Sequence, residues 1–349
     1  MKTKTELFVT RPSLPDLDEF MPYLKNIWDS RIISNNGPYH EKLESELCKY
    51  LGVPYISLVS NGTIGLIIAL NALKIKGEVI TTPYSFVATS HSLLWNNIKP
   101  VFVDIDPFTL NLDYNKIEKS INNNTTAIMP VHVYGNPCNV DEIEVIAKKH
   151  NLKVIYDASH AFGVKCHCGS ILNHGDLSVL SFHATKVFNT FEGGAIISKN
   201  IETKKYIDQL KNFGFSGETT VDQTGINGKM NEFCSALGLA QLKQIDLNIE
   251  MRKKIDNYYR LKLENIPGIT CHTYSNIEKG NYSYFPIFVG NEYSITRDEL
   301  YYKLKKKGIN GRRYFYPLIT DFPMYKNFEN TKDQNLNVAK RVAAQVICL

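Results

Sequence analysis

Between residues 55 and 197 the chain carries seven short apolar runs: Tyr55–Val59, Glu78–Thr82, Pro100–Asp104, Thr126–His132, Val154–Asp157, Leu177–Phe182 and Ala195–Ile197. Runs this short and this apolar predict strands buried on both faces. Segments with helical periodicity stand between most of them: Ile64–Leu73, apolar nearly all round, then Thr89–Trp95, the polar Asn111–Ile121 and Val140–His150. Upstream, Asp16–Trp28 and His40–Leu51 read as helices, the second ending near Gly52 as a C-cap. Downstream, helical patterns cover Lys204–Phe213, a segment with Ala236, Leu237, Leu239 and Leu242 on one side, Met251–Leu263 and Arg297–Lys307, with a strand expected over Tyr282–Val289. Strand alternating with helix predicts an α/β fold, a mostly parallel seven-stranded sheet with helices on both faces. Ligands in such sheets sit beyond the carboxyl ends of the strands.

The bulk composition narrows the class without naming a chemistry. With 349 residues, 43% hydrophobic and 21% charged, the chain is an ordinary globular protein with room for a substantial core. A net charge of +5 suits an anionic small substrate. No clustered basic stripe points to nucleic acid, and Lys305–Lys307 reads as a solvated helix face. No apolar run reaches membrane-spanning length and no targeting segment is visible, so no membrane association is expected. Seven cysteines at irregular spacing argue against a disulfide framework and for a reducing cytoplasm. Cys166, His167 and Cys168 lack the second ligand pair that zinc needs, so they read as a loop and no metal is expected.

The chemistry concentrates at the ends of the runs. Lys186 lies on a polar turn between Leu177–Phe182 and Ala195–Ile197 and is followed by Glu192, Gly193 and Gly194. A lysine held between core strands is partly desolvated, which lowers its pKa and frees a nucleophilic amine. Asp157 closes another run, and a buried carboxylate there is costly unless it meets a cation. A Lys for an aldehyde and an Asp for a pyridinium nitrogen form the pairing used with pyridoxal phosphate. Gly62 and Thr63 open an apolar helix whose first amides form an anion site. Each feature also has an ordinary reading: a solvated loop lysine, a helix cap, a core aromatic.

Taken together, SNGT (Ser60–Thr63), PYSFVAT (Pro83–Thr89), PVHVYGNP (Pro130–Pro137), VIYDASHAFG (Val154–Gly163), SFHATK (Ser181–Lys186) with EGGA (Glu192–Ala195), and NGKMNEFCSALGLAQL (Asn227–Leu242) resemble the DegT/DnrJ/EryC1/StrS sugar aminotransferases, in their family order. The resemblance implies a fold-type I, aspartate aminotransferase-like enzyme using pyridoxal 5'-phosphate. It implies a large domain over residues 1–250 and a small C-terminal α+β domain over 251–349. Lys186 becomes the catalytic lysine. Gly62, Thr63 and Ser181 become the phosphate cradle, Phe86 the stacking aromatic, Asp157 the ring-nitrogen partner and His160 a contact to the ring oxygen. Asn227 would reach the phosphate of another subunit, so the resemblance implies a homodimer with shared active sites. Asn35, with Arg312, Arg313, Tyr314 and Tyr316, would face the substrate.

The implied reaction carries the amino group of L-glutamate to C4 of a dTDP-4-keto-6-deoxyhexose, giving a dTDP-4-amino-4,6-dideoxy sugar for surface polysaccharide. A dehydratase of the family would carry histidine in place of Lys186, which sets that activity aside. A 3-aminotransferase acting on a 3-keto sugar tends to read S-F-x-P-G-K where this chain reads SFHATK, which favours C4. A catalytically inactive binding homologue is the alternative from another class. Relatives usually continue beyond the position of Leu349 with a proline, a short loop and a last helix, so the small domain is expected to be truncated at its end.

Overall fold

A computed structural model describes residues 6–275, 277–326, 328 and 335–349. In chain order, a two-residue strand β1 (Leu7–Phe8) is followed by helices α1 (Leu17–Ser30) and α2 (Pro38–Leu51). Then come β2 (Tyr55–Val59), α3 (Gly62–Ala72), β3 (Glu78–Thr81), α4 (Ala88–Trp95), β4 (Lys99–Phe102), the short α5 (Tyr114–Ile117), β5 (Thr125–Met129), α6 (Val140–Lys149) and β6 (Lys153–Asp157). A hairpin of β7 (Lys165–Cys166) and β8 (Gly169–Ser170) leads to β9 (Leu177–Ser181) and β10 (Gly194–Ser198).

All seven expected runs enter one sheet, in the order β2-β10-β9-β6-β5-β3-β4. Strand β10 is antiparallel to both neighbours and the remaining pairs are parallel. The carboxyl ends of β2, β3, β6 and β9 therefore share one edge. Period-two alternation sorts the strand side chains onto two covered faces. On one, Ile56, Leu58, Ile128, Val154, Leu180 and Ile197 pack with Leu43 and Leu47 of α2 and Ile143 of α6. On the other, Val59, Val79, Met129, Ile155, Val179 and Ile196 pack with Leu66 and Ile68 of α3.

Helix starts follow their caps. Asn61 takes the Ile64 amide at 2.8 Å to open α3. Helix α2 opens with Pro38 behind Gly37, and its Tyr39 and His40 amides both donate at 2.8 Å to the buried carboxylate of Glu232. Two expectations fail for a readable reason. The expected helix over Asn111–Ile121 forms only from Tyr114, because the buried Asn111 side chain donates to the Asn136 and Pro137 carbonyls and accepts the Val133 amide, and Asp113 caps α5 by accepting the Asn115 amide. The expected strand over Tyr282–Val289 is confined to Pro286–Val289, because Tyr282 takes a left-handed φ of 51°.

Beyond β10 the chain forms α7 (Ile201–Leu210), α8 (Glu232–Leu242) and α9 (Ile245–Leu263). An antiparallel sheet follows, of β11 (Ile269–Cys271), β12 (Pro286–Val289) and the last strand, Val346–Cys348. It packs with α10 (Arg297–Lys306), whose Thr296–Glu299 capping box is complete. Strand β1 pairs in parallel with Ile309–Asn310, so the start of the chain is joined to its C-terminal part. Residue 250 lies inside α9. No helix among the described residues is long and apolar enough to cross a membrane.

Candidate active site

The site is built on the shared edge of the sheet. Lys186 sits on the turn after β9, and its amide donates to the His183 carbonyl at 2.9 Å. Its Nζ lies 3.4 Å from the Tyr284 hydroxyl. Burial lowers the amine from its ordinary 10.5 to about 8, against the opposing pull of Asp157. At pH 7 a pKa of 8 leaves about one amine in ten neutral, against roughly one in three thousand for a free lysine. The tertiary setting alone thus raises the nucleophilic fraction about three-hundredfold.

Asp157, at the end of β6, is 4% exposed. Its Oδ2 accepts the Thr89 hydroxyl at 2.7 Å and its Oδ1 accepts the Ser159 amide at 3.1 Å. Thr89 in turn exchanges a hydrogen bond with Ser85 at 2.8 Å. Two donors hold the carboxylate in place, yet among the described residues it has no ion-pair partner within 4.0 Å. His160 is buried, with the Tyr134 amide donating to its Nδ1 at 3.2 Å. Burial, and then the Lys186 charge, hold this ring well below the usual histidine range. A neutral ring accepting at Nδ1 carries its proton on Nε2, so His160 is a donor. Its ring stacks on Phe315 and meets Tyr284 edge-on at 4.8 Å.

The phosphate candidates lie together at the start of α3. A Cβ built on Gly62 would stand 2.9 Å from the Ser181 Cβ, so only glycine lets these two turns approach. Gly194 closes the third side: a Cβ there would meet the Gly62 nitrogen at 2.8 Å. Because Asn61 takes the Ile64 amide, the Gly62 and Thr63 amides are left without an intrahelical acceptor. The cap is thus Asn61, and the Thr63 hydroxyl is free of that duty.

These features fit pyridoxal phosphate on three counts. A buried carboxylate lacking a cation suits a pyridinium nitrogen. A glycine cradle with outward amides suits a phosphate. A lysine with a lowered pKa suits an aldehyde. Phe86 follows β3 and is 58% exposed, so its ring is available for stacking, and its carbonyl accepts the Thr89 amide.

The remaining expected residues are distributed more widely. Tyr314 lies beside the site, its ring 6.0 Å from Tyr284 and its carbonyl accepting the Tyr84 and Tyr134 hydroxyls. Arg313 pairs with Asp298 at 2.7 Å and stacks on Tyr301 and Tyr316, while Tyr316 also lies under Arg297. Arg312 is exposed, with its backbone bridged to Cys348. Asn35 is exposed with φ 62°, two residues beyond Ile33, whose carbonyl accepts the Glu232 amide. Asn227 is exposed on a segment laid over α3, where the Gly228 carbonyl accepts the Ser60 amide at 2.7 Å.

Thr89 and Tyr284 escaped the sequence reading as site residues. Thr89 lay inside a noted motif, whereas Tyr284 gave no signal beyond apolarity. Beside Tyr284 opens a cleft of about 320 Å³, lined by Arg252, Tyr282, Tyr284 and Asn310 among others.

Comparison with known proteins is consistent with this geometry. A model of the DegT/DnrJ/EryC1/StrS aminotransferase family matches residues 16–349. The chain is 56% identical to a dTDP-4-amino-4,6-dideoxy-D-glucose transaminase of Shigella dysenteriae over 98% of its length and 93% of the relative's. It is 52% identical to a transaminase of the same description from Escherichia coli, over 98% of this chain and 92% of that one. Among solved structures, DesI determined in the presence of its TDP-sugar product matches with a TM-score of 0.93 at 32% identity, covering 99% of this chain and 88% of that chain.

Proposed function

Because the chain belongs to the DegT/DnrJ/EryC1/StrS aminotransferase family, we propose that it transfers the amino group of L-glutamate to C4 of a dTDP-4-keto-6-deoxyhexose. The product is a dTDP-4-amino-4,6-dideoxy sugar. The observation that carries this reading is the 56% identity, over nearly the whole chain, to a transaminase named for that product.

Pyridoxal 5'-phosphate, the cofactor of this family, supplies an electron sink when bound, which makes a proton on an amine-bearing carbon removable. The protein supplies the rest. Lys186 Nζ anchors the aldehyde end and, when free, takes and returns the proton in each half of the exchange. Asp157, positioned by Thr89 and the Ser159 amide, would hold the proton of the ring nitrogen. His160 Nε2 would donate to the ring oxygen, Phe86 would cover one ring face, and Gly62, Thr63 and Ser181 would hold the phosphate.

For the nucleotide sugar we assign the diphosphate to Arg312, with Tyr314 lining the path to Lys186 and Asn35 bordering the substrate region. Arg313 and Tyr316 shape the same wall from the Asp298 cluster. Asn227 reaches the cofactor phosphate of a second copy, so the working unit is a homodimer with shared active sites. Exposed apolar side chains at Phe213, Ile226 and Phe233, around this segment in sequence, support that reading. Residues 1–250 act as the cofactor-binding domain and 251–349 as the small domain. Seven unpaired cysteines support work in the cytoplasm. An aminodeoxy sugar activated on dTDP suits assembly of a surface polysaccharide such as a lipopolysaccharide O-antigen.

The test is direct. Purified enzyme, L-glutamate and dTDP-4-keto-6-deoxyglucose are incubated together and the product is examined by NMR. The amine is expected on C4, and Lys186→Ala is expected to abolish both turnover and the visible absorbance of the lysine-bound cofactor. An amine on C3, or full turnover by Lys186→Ala, would overturn the proposal.

A further inference from the structure

The β7–β8 hairpin brings together side chains for which transamination has no use. Cys166 is buried and Cys168 sits on the exposed turn, with their sulfurs 2.8 Å apart. His174, eight residues beyond Cys166, turns its Nε2 to both, at 3.1 Å from Cys168 Sγ and 3.7 Å from Cys166 Sγ. A ring nitrogen of His167 lies within 4.8 Å of both sulfurs. The His167 Nε2 stands 4.0 Å from the Asp141 carboxylate. The donor that the Cys166–Cys168 triad lacked in the sequence is therefore supplied by folding, as the imidazole of His174.

We propose that Cys166, Cys168, His174 and His167 form a binding site for a thiophilic divalent cation of the zinc class. Two thiolates and two imidazoles are a donor set that a tetrahedral d¹⁰ ion takes. With metal–sulfur bonds of about 2.3 Å and metal–nitrogen bonds of about 2.0 Å, tetrahedral ligation sets sulfurs about 3.8 Å and sulfur and nitrogen about 3.5 Å apart. The Cys166–His174 separation of 3.7 Å is already of that size. The two sulfurs reach theirs when the exposed Cys168 side chain swings outward by roughly 1 Å, and the exposed His167 ring must turn inward to join His174 on the ion. Each ligating thiol gives up its proton to solvent as the metal enters. Asp141, 4.0 Å from the His167 Nε2, would need to close to hydrogen-bond distance to orient that ring as carboxylates orient metal-bound imidazoles. A disulfide would leave both imidazoles without a role, and its closed loop is too short to gain much from lost chain entropy.

The site has a structural task within reach. Lys165, next to Cys166, donates its amide to the Lys279 carbonyl at 2.9 Å and accepts the Glu278 amide at 2.9 Å. Two residues on, Asn281 donates to the His160 and Phe162 carbonyls at 2.8 and 3.0 Å. A metal on the hairpin would thus pin the strand that ties residues 278–281 to the wall of the candidate active site.

The experiment uses reduced, chelator-treated holoenzyme and adds Co²⁺ as a spectroscopic probe, then Zn²⁺ in competition. One cobalt per chain is expected, with thiolate charge transfer and tetrahedral d–d bands to the red of the cofactor absorbance. Zinc should displace it and raise the melting temperature while leaving kcat/KM unchanged. Cys168→Ser, on the exposed turn, and His174→Gln should each weaken binding by more than ~100-fold, beyond what loss of an outer-sphere partner costs. Two results overturn the proposal. One is reduced wild-type enzyme that binds no more cobalt or zinc than Cys168→Ser, including the case where the two thiols simply oxidise to a disulfide in air. The other is a set of bands that persists in both variants.

Discussion

Replacing Thr89 by valine keeps the shape of a fully buried side chain and removes one hydroxyl. That hydroxyl donates at 2.7 Å to Asp157, whose carboxylate is 4% exposed and has only the Ser159 amide as its other named donor. A hydrogen bond to a buried charged group contributes about 1.5–3 kcal/mol, because its loss leaves the charge under-solvated. We expect Thr89→Val to cost the cofactor-free protein about 2 kcal/mol. In an Asp157→Asn background the same hydroxyl meets a neutral amide, and the cost falls to about 1 kcal/mol. The double-mutant cycle should therefore show a coupling of about 1 kcal/mol, above the scatter of independent sites. Urea denaturation of the four proteins, stripped of cofactor, measures it. In the holoenzyme, the carboxylate that would hold the proton of the ring nitrogen loses one of its two positioning donors. The expected consequence is a loss of about tenfold in kcat/KM at neutral pH. A Thr89→Val cost equal in both backgrounds, or below about 0.5 kcal/mol in the wild-type background, would refute the assignment of Thr89 to Asp157.

Three other expectations rest on two features of the site, Lys186 and Gly62. Capture of added pyridoxal phosphate by the cofactor-free enzyme should accelerate tenfold per pH unit up to about 8 and then level off, tracking the neutral fraction of Lys186. A stopped-flow profile still rising tenfold per unit at pH 9 would place the amine in solvent. The stability of the cofactor-free chain follows the same group. Between pH 8 and 10.5 the unfolded chain holds a proton that folded Lys186 refuses, so this contribution rises with pH across that window and is flat below it. Gly62→Ala places a methyl 2.9 Å from the Ser181 Cβ and 3.3 Å from its Cα. Overpacking of about 1–3 kcal/mol at the cradle should weaken cofactor binding tenfold or more, read by fluorescence titration, while Ser181→Gly in the same chain restores part of it.

What the sequence disclosed and what it withheld divide along one physical line. Strands buried on both faces are mostly apolar, with only a few buried polar positions such as Ser57 and Ser178, so each wrote itself into a near-contiguous run and all seven strands were readable. Lys186 and Asp157 were readable because they interrupt or end such runs, where a charge is costly and calls for a reason. Residues whose task is to meet something distant carry no such mark. Asn111 looked like the start of a polar helix, yet its carboxamide is spent on three backbone groups of the Val133–Pro137 turn. Thr89 meets its carboxylate across 68 residues, and Tyr284 meets Lys186 across 98. An expected strand would have made Tyr284 one more alternating core residue. Instead the left-handed Tyr282, behind an Asn281 tied to His160 and Phe162, stops the strand short and turns a hydroxyl toward the amine. The same holds for His174, which no spacing rule connects to Cys166 and Cys168 until the hairpin folds back on the turn before β9. Polar partners chosen by tertiary register are invisible to local patterns, and they are the groups that fix where charge sits in this site.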